Sequence, residues 1–243
     1  MTRVAVVGGT GWVGRLVVDN LSRLGMNPAV LARSTGVDLV TGGGLDDALQ
    51  GADAVIDVSN IATRNGRRAT AFFESGTRKI LAAEQRAGVR HHLLLSIIGV
   101  DRVNIGYYRA KRRQEDLVRE GPVPWTILRT TQWHEFAAQL LADRPLAIVP
   151  TMLSQPVAAQ EVADELTRLA QSPPAGMAEL AGPREERVPD MVRRLAEARG
   201  RRTLVVTVPV PGALGRSLTG GALLPSGPGP RGTRTFDQWL EGA

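Results

Sequence analysis

Two side-chain types that this chain uses sparingly meet within five residues. The only tyrosines are Tyr107 and Tyr108, and the only lysines are Lys79 and Lys111. Lys and Arg together total 30, so 28 of these cations are arginine. A chain that relies on arginine this heavily has reason to place a lysine only where a compact ammonium is needed and a planar guanidinium does not serve. On a helix, Tyr107 and Lys111 share one face, a single turn apart. Tyr108 is three residues from the lysine and can share that face, so spacing does not choose between the phenols. A free phenol titrates near about 10, and a neighbouring cation lowers that value toward useful proton exchange at neutral pH. The pattern is that of a proton-transfer site. It also fits a solvated helix whose tyrosines pack its start, and Lys79 shows that a lysine can be incidental.

The elements that would position such a site begin at the N-terminus. Val4 to Val7 is an apolar, β-branched run, the pattern of a buried strand in a parallel sheet. Gly8, Gly11 and Gly14 follow at a G-x-x-G-x-x-G spacing, with Gly9, Thr10, Trp12 and Val13 between them. Val13, Leu16, Val17, Leu21 and Leu24 then recur at helical steps, and Gly25 stops the helix. Strand, glycine turn and helix form the first half of a nucleotide-binding βαβ unit. There, backbone without Cβ atoms and the free N–H groups of a helix start accept a pyrophosphate.

Ala29 to Ala32 reads as the second strand, ending at Arg33, 19 residues after Gly14, with Ser34 beside it. An acid near this position holds a ribose 2′-hydroxyl, whereas an arginine suits a 2′-phosphate, so NADP(H) is expected over NAD(H). Gly36 to Val40 has the look of a third strand, yet only Ser34 and Thr35 precede it, too few for a parallel crossover. It is either an antiparallel strand or an extended link, and the usual second crossover helix is expected to be missing. A short helix follows over Leu45–Gln50, and then a buried strand over Ala54–Val58 with Ser59 and Asn60 at its carboxyl end, where open α/β sheets bind ligands.

Residues 61–69 read as a polar loop carrying Arg64, Arg67 and Arg68, before a helix over Thr70–Ala87. His92–Ile98 is the next strand, with Ser96 near its carboxyl end; His91 and His92 sit at the far end and read as structural. A helix over Tyr107–Glu120 and a strand over Trp125–Arg129 complete the alternation of a doubly wound, mostly parallel sheet. Helices near 161–170 and 189–199, a strand at 203–208 and a short helix at 236–240 are expected further on. Residues 209–232, rich in Gly and Pro, are expected to wrap the surface or edge the site. The fold class is α/β: a Rossmann core over residues 1–136 and a smaller C-terminal substrate lobe over 137–243.

Composition narrows the classes. There are no cysteines, which removes disulfide and thiolate chemistry and suits a reducing, cytoplasmic setting. No apolar run reaches transmembrane length, and no secretion signal is evident. The net charge of +6 comes from arginines interleaved with acids, without an aromatic-studded basic stripe, so it reads as solvated surface. The expected partner is a small molecule, not nucleic acid or membrane; a homo-oligomer is compatible with this sequence, and no metal site is expected.

Together the GGTGWVG turn, Ser96 and Tyr107-x-x-x-Lys111 resemble the short-chain dehydrogenase/reductases. More narrowly the chain is similar to their atypical, NmrA-like NAD(P)H-binding branch. Leu-Ala-Arg-Ser after the second strand, Val-Ile-Asp-Val-Ser-Asn ending at Asn60, Tyr-Tyr-Arg-Ala-Lys, and Trp-Thr-Ile-Leu-Arg followed by Gln-Trp-His-Glu-Phe carry the likeness, strongest over 1–136. The resemblance implies a Rossmann fold and NADP-linked reduction of a carbonyl or enone. Ser96, Tyr107 and Lys111 would match the Ser-Tyr-Lys triad: Tyr107 as proton donor, Lys111 on the nicotinamide ribose, Ser96 polarising the substrate oxygen. Trp133, His134 and Phe136 are the expected substrate wall, with a packing role open for Trp133 and Phe136. Two departures stand out. Ser96 precedes Tyr107 by 11 residues, tighter than is usual, and Gly43 stands where many relatives carry an adenine-contacting aspartate. The branch also holds dinucleotide-binding redox sensors without turnover and non-redox enzymes such as isomerases or cyclases, which remain the alternatives.

Overall fold

The structure is a computed structural model that describes residues 3–63, 65–142 and 145–242. In chain order its strands are β1 (Val4–Val7), β2 (Ala29–Leu31), β3 (Ala54–Asp57), β4 (His91–Ile97), β5 (Trp125–Thr130), β6 (Leu146–Pro150), β7 (Leu153–Ser154), β8 (Gly176–Leu180), β9 (Glu186–Arg187) and β10 (Leu204–Val208). Its helices are α1 (Trp12–Arg23), α2 (Leu45–Leu49), α3 (Gly66–Ala87), α4 (Gly106–Glu120), α5 (Phe136–Leu141), α6 (Ala159–Ala170), α7 (Val188–Ala198), α8 (Gly212–Thr219) and α9 (Phe236–Leu240).

The chain divides into two compact units. The first comprises residues 1–96, 104–129 and 162–178; the second comprises 97–103, 130–161 and 179–243. The expected boundary at residue 136 falls inside a segment of the second unit, and the chain returns to the first unit with 162–178. The division is interleaved, and a single cut does not describe it.

The first unit is built on a sheet of order β2-β1-β3-β4-β5-β8. β1 pairs in parallel with β2 and β3, and β3 in parallel with β4. His92 N–H donates to the Pro124 carbonyl and Ile98 N–H to the Thr130 carbonyl, the constant offset of parallel strands. Strands buried on both faces must be apolar throughout, and all four β1 residues are buried. α1 buries Val13, Gly14, Val17 and Leu21, one helical stripe, and its chain reverses after Leu24 through Gly25. α3 begins where the Asn65 side chain accepts the Arg68 N–H, and Gly88 closes it in a left-handed conformation.

Three expectations change. Residues 36–40 form no strand: Arg33–Thr35 make one 3-10 turn, and the Thr35 hydroxyl accepts the Ala32 N–H at 3.0 Å and donates to the Val30 carbonyl at 2.8 Å. That knot, a loop and the five-residue α2 replace the usual crossover helix, so the predicted absence is observed. The loop assigned to 61–69 ends early, because the Asn65 cap starts α3 at Gly66 and puts Arg67 and Arg68 in its first turn; Arg64 lies outside the described residues. Residues 209–232 contain α8, which the density of glycine and proline hid.

In the second unit β6 and β10 form a parallel pair, with Leu146 opposite Leu204 and Ile148 opposite Val206, and β7 pairs antiparallel with β9. α7 buries Val188, Pro189, Met191, Val192, Leu195 and Ala196. α9 starts at a capping box of Thr235 and Gln238. Its Phe236 ring stacks on Trp239, with centroids 5.5 Å apart, while the Arg194 guanidinium lies 4.9 Å from the Phe236 centroid.

Candidate cofactor and proton-transfer site

All of the site residues expected from the Rossmann core lie in the first unit. Gly8 takes φ +80°, and a Cβ on it would stand 3.0 Å from the Val58 carbonyl oxygen and the Ser59 Cα. The turn after β1 is thus pressed against the carboxyl end of β3. A Cβ on Gly14 would come within 2.2 Å of the Gly8 carbonyl oxygen, so only glycine lets α1 start this close to the strand. Gly11 caps α1 without a side-chain hydrogen bond, which leaves first-turn N–H groups free, and Thr10, Gly11 and Trp12 are exposed beside them. An uncapped helix start behind a glycine turn fits a pyrophosphate. Val13 and Gly14 are buried, so they could meet a ligand only through the backbone. Arg33 and Ser34 are exposed at the end of β2, and no carboxylate among the described residues is paired with Arg33.

At β3, Asp57 is buried and its Oδ1 accepts the Ser59 N–H at 2.8 Å, which shapes the turn into Asn60. Asn60 is exposed, and its Oδ1 accepts the Tyr107 hydroxyl at 2.8 Å. The strand end and the α4 start are therefore joined through the phenol. Gly66 helps: a Cβ there would lie 2.9 Å from the Gly106 Cα, so α3 and α4 begin in close approach. Tyr107 packs against the buried cluster of Ala69, Phe73 and Ala110, its ring edge-on to Phe73 at 5.6 Å. The Tyr108 ring is 6.4 Å from Tyr107, and Tyr107, not Tyr108, bonds Asn60.

Lys111 is 4% exposed. Its Nζ donates to the Leu95 carbonyl at 2.8 Å and to Gln114 Oε1, and lies 4.9 Å from the Phe73 centroid. Gln114 passes the contact on, donating from Nε2 to Asp57 Oδ2 at 2.9 Å. Burial lowers the Lys111 pKa to about 8, against the opposing pull of Asp57 and Glu115. Burial also raises the Tyr107 pKa above the ordinary phenol value, with Tyr108 adding to the rise. The expectation that Lys111 lowers the Tyr107 pKa is not met in this arrangement. The physical reason is that the ammonium is engaged by Leu95 and Gln114, with the Phe73 ring in contact with both it and the phenol. Ser96 is 2% exposed, and its hydroxyl has no partner among the described residues.

His91 and His92 open β4 and are structural, as their place at its far end suggests. His91 Nε2 pairs with the Thr126 hydroxyl at 2.9 Å and His92 Nδ1 with Glu84 at 2.7 Å. Burial alone would push His92 down, yet Glu84 holds its pKa above the usual value. Asp57, Phe73 and Gln114 surround the Tyr107–Lys111 pair; Asp57 lies within the Val-Ile-Asp-Val-Ser-Asn stretch, whereas Phe73 and Gln114 lie in no motif. Gln114 had a legible signal, three residues beyond Lys111 on one face; Phe73 reads only as core.

Trp133, His134 and Phe136 lie in the second unit. His134 is fully buried, its Nε2 on the Arg234 carbonyl at 2.9 Å and its ring against Phe236 and Trp239. It packs beneath α9. Trp133 and Phe136 are half-buried, and Trp133 Nε1 donates to the Thr130 hydroxyl at 3.2 Å. This unit also has a cavity of about 350 Å³ lined by Thr151, Met152, Leu153, Arg187, Pro189, Asp190, Arg193, Thr207 and Thr219, which no motif announced. Among the described residues no cluster of His, Cys, Asp and Glu could hold a metal ion.

Fold and glycine turn are those of a dinucleotide-binding α/β protein. Residues 8–173 match the family described as NAD(P)H-binding, and the chain belongs to that family. It is 36% identical over 140 residues to the (4-alkanoyl-5-oxo-2,5-dihydrofuran-3-yl)methyl phosphate reductase of Streptomyces griseus, a match covering 52% of this chain and 46% of that protein. It therefore spans about half the length of that relative. It is 27% identical over 247 residues to the ceramide reductase of Caulobacter vibrioides, covering 91% of this chain and 77% of that one. Among solved structures, a short-chain dehydrogenase/reductase superfamily protein of Agrobacterium tumefaciens with bound NAD superimposes with a TM-score of 0.75 at 20% identity, covering 99% of this chain and 95% of that one. The family resemblance expected from the motifs is borne out, and cofactor binding follows as NAD(P)H without separating the two forms.

Proposed function

We propose that the protein is an NADPH-dependent reductase of a small carbonyl, enone or quinone, with Tyr107 as its proton donor. The observation that carries this reading is the Tyr107 hydroxyl held by Asn60 at the carboxyl end of β3, the edge at which open α/β sheets bind ligands. Both curated relatives are named as reductases, and the substrate named for one is a dihydrofuran bearing ring and side-chain carbonyls.

The backbone from Gly8 to Gly14 would hold the pyrophosphate, Arg33 and Ser34 the 2′-phosphate, and Ser59 and Asn60 would lie along the cofactor. Bound NADPH supplies the hydride. Tyr107 gives the proton to the substrate oxygen and is reprotonated from water. Ser96 polarises that oxygen. Lys111 would hold the nicotinamide ribose, and its charge beside the phenol would lower the phenol pKa. The burial of His134 leaves it a packing role.

A second reading is a redox sensor that binds the dinucleotide without turnover. It is favoured by the raised Tyr107 pKa and by the engagement of Lys111 with the core. NADPH oxidation against a panel of quinones, enones and ketones separates the two. Turnover that disappears in Tyr107→Phe supports the reductase. NADPH binding with no turnover on any member supports the sensor, and product formed without net NADPH consumption supports a non-redox isomerase or cyclase.

A further inference from the structure

β6 and β10 form a two-stranded parallel sheet whose two faces differ. One face is covered: Ala147 and Val149 are buried, and the Thr207 hydroxyl accepts a bond from Arg193 of α7 at 2.9 Å. The other carries Leu146 and Ile148 from β6 and Leu204, Val206 and Val208 from β10, all exposed, Ile148 by 61% and Leu204 by 66%. Ten large hydrophobic residues are exposed in the described chain, and half of them lie on this one small sheet. Scattered exposed apolar residues need no explanation, but a contiguous patch of this kind marks a contact surface.

The ends of the sheet differ as well. Because the strands are parallel, both enter from the same end, and Arg199, Arg201 and Arg202 lead into β10 there with no acid among residues 199–208. Arg199 and Arg202 are exposed; Arg201 donates to the Ala142 carbonyl. At the other end the chain leaves β10 through Pro209, Val210 and Pro211.

We propose that this face docks on an anionic lipid surface, with the aliphatic side chains at the acyl boundary and the arginines among the headgroup phosphates. Apolar area and cationic charge side by side are what interfacial binding requires. Nucleic acid fits less well, since the face offers no aromatic ring for a base to stack on. A second copy of this chain would also carry +6, whereas an anionic surface attracts that charge. No helix of the described residues is long and apolar enough to cross a membrane, so the contact is peripheral. This departs from the sequence expectation of no membrane partner, because separate strands 54 residues apart compose the patch.

The test is co-sedimentation of the full chain with vesicles of phosphatidylcholine alone or with added phosphatidylglycerol. The chain should sediment with the anionic vesicles, stay in solution with the neutral ones, and be released by salt. Arg199→Gln with Arg202→Gln should lower partitioning roughly 30-fold, about fivefold per arginine. Ile148→Ser with Leu204→Ser should lower it at least ~10-fold while far-ultraviolet dichroism stays unchanged. Failure to bind anionic vesicles, equal binding to both kinds, or indifference to the Ile148 and Leu204 changes would overturn the proposal. A dimer that Ile148→Ser dissolves, in protein that ignores vesicles, would instead give the face to a second copy.

Discussion

Replacing Lys111 with methionine probes the centre of the site through stability alone. The lysine has an ordinary pKa of 10.5, lowered to about 8 by burial. A lowered lysine pKa means that the unfolded chain holds the proton more tightly than the folded one. Between the two values the unfolded state binds more protons, so stability must rise with pH through this window. Near pH 7.5 the buried charge costs about 3 kcal/mol, and near pH 9.5 about 1 kcal/mol remains, a gain of about 2 kcal/mol. Tyr107 and Tyr108, both raised above the ordinary phenol range, oppose the rise weakly at its upper end, where the phenols of the unfolded chain begin to ionise, and do so in wild type and variant alike. Methionine removes the charge but leaves the Leu95 carbonyl and Gln114 Oε1 without their donor, which costs about 1–3 kcal/mol. The two effects nearly cancel at neutral pH, so the discriminating quantity is the slope. Urea unfolding at the two pH values should show wild type gaining about 2 kcal/mol more than Lys111→Met. Equal gains in both proteins would refute the picture of a charged lysine confined in the core.

Other perturbations follow from the same geometry. Lys111→Arg and Tyr107→Phe should each keep the fold and lose at least ~100-fold in NADPH turnover, while Tyr108→Phe, which lacks the Asn60 bond, should lose far less in the same assay. Arg33→Ala should weaken NADPH by roughly 1–3 kcal/mol and spare NADH in parallel titrations; equal losses would remove Arg33 from the 2′-phosphate. Gly14→Ala places a Cβ 2.2 Å from the Gly8 carbonyl oxygen, so α1 must shift from β1. It should cost about 1–3 kcal/mol in thermal unfolding and abolish binding of both cofactors, whereas Gly227→Ala, which meets open space, should do neither.

Local signals made the first unit readable. Buried parallel strands are apolar over their whole length, so Val4–Val7 and Ala54–Asp57 stand out, and glycines mark the turn because no other residue tolerates the Gly8 and Gly14 positions. The missing crossover helix was legible by counting, since two residues between Arg33 and Gly36 leave no room for it. What replaced it was not: the Thr35 knot is a side chain satisfying backbone groups, which hydrophobic periodicity does not encode. In the second unit the pairing of β6 with β10 joins distant short strands, and their alternation carries little signal when one face is apolar and bare. Type and spacing put Tyr107 and Lys111 one turn apart on a helix, as observed, but the direction of the ammonium depends on Leu95, Gln114 and Asp57, three positions on two strands and a helix. Ser96 was placed correctly on its strand, while the burial of His134 under α9 depends on residues 100 positions away.

The confinement of both tyrosines to the first turn of α4 gives the protein an optical property. Tyrosine ionisation changes near-ultraviolet absorbance, and in most chains that signal is an average over many rings. Here two phenols supply all of it, and both stand at the carboxyl edge of the sheet with their ionisation held above the ordinary range. A spectrophotometric titration therefore reports one microenvironment, read as the pH-dependent difference above the constant absorbance of the four tryptophans. Any dinucleotide or substrate that brings positive charge to the phenol will draw a phenolate band down into a pH range where the ligand-free protein shows none.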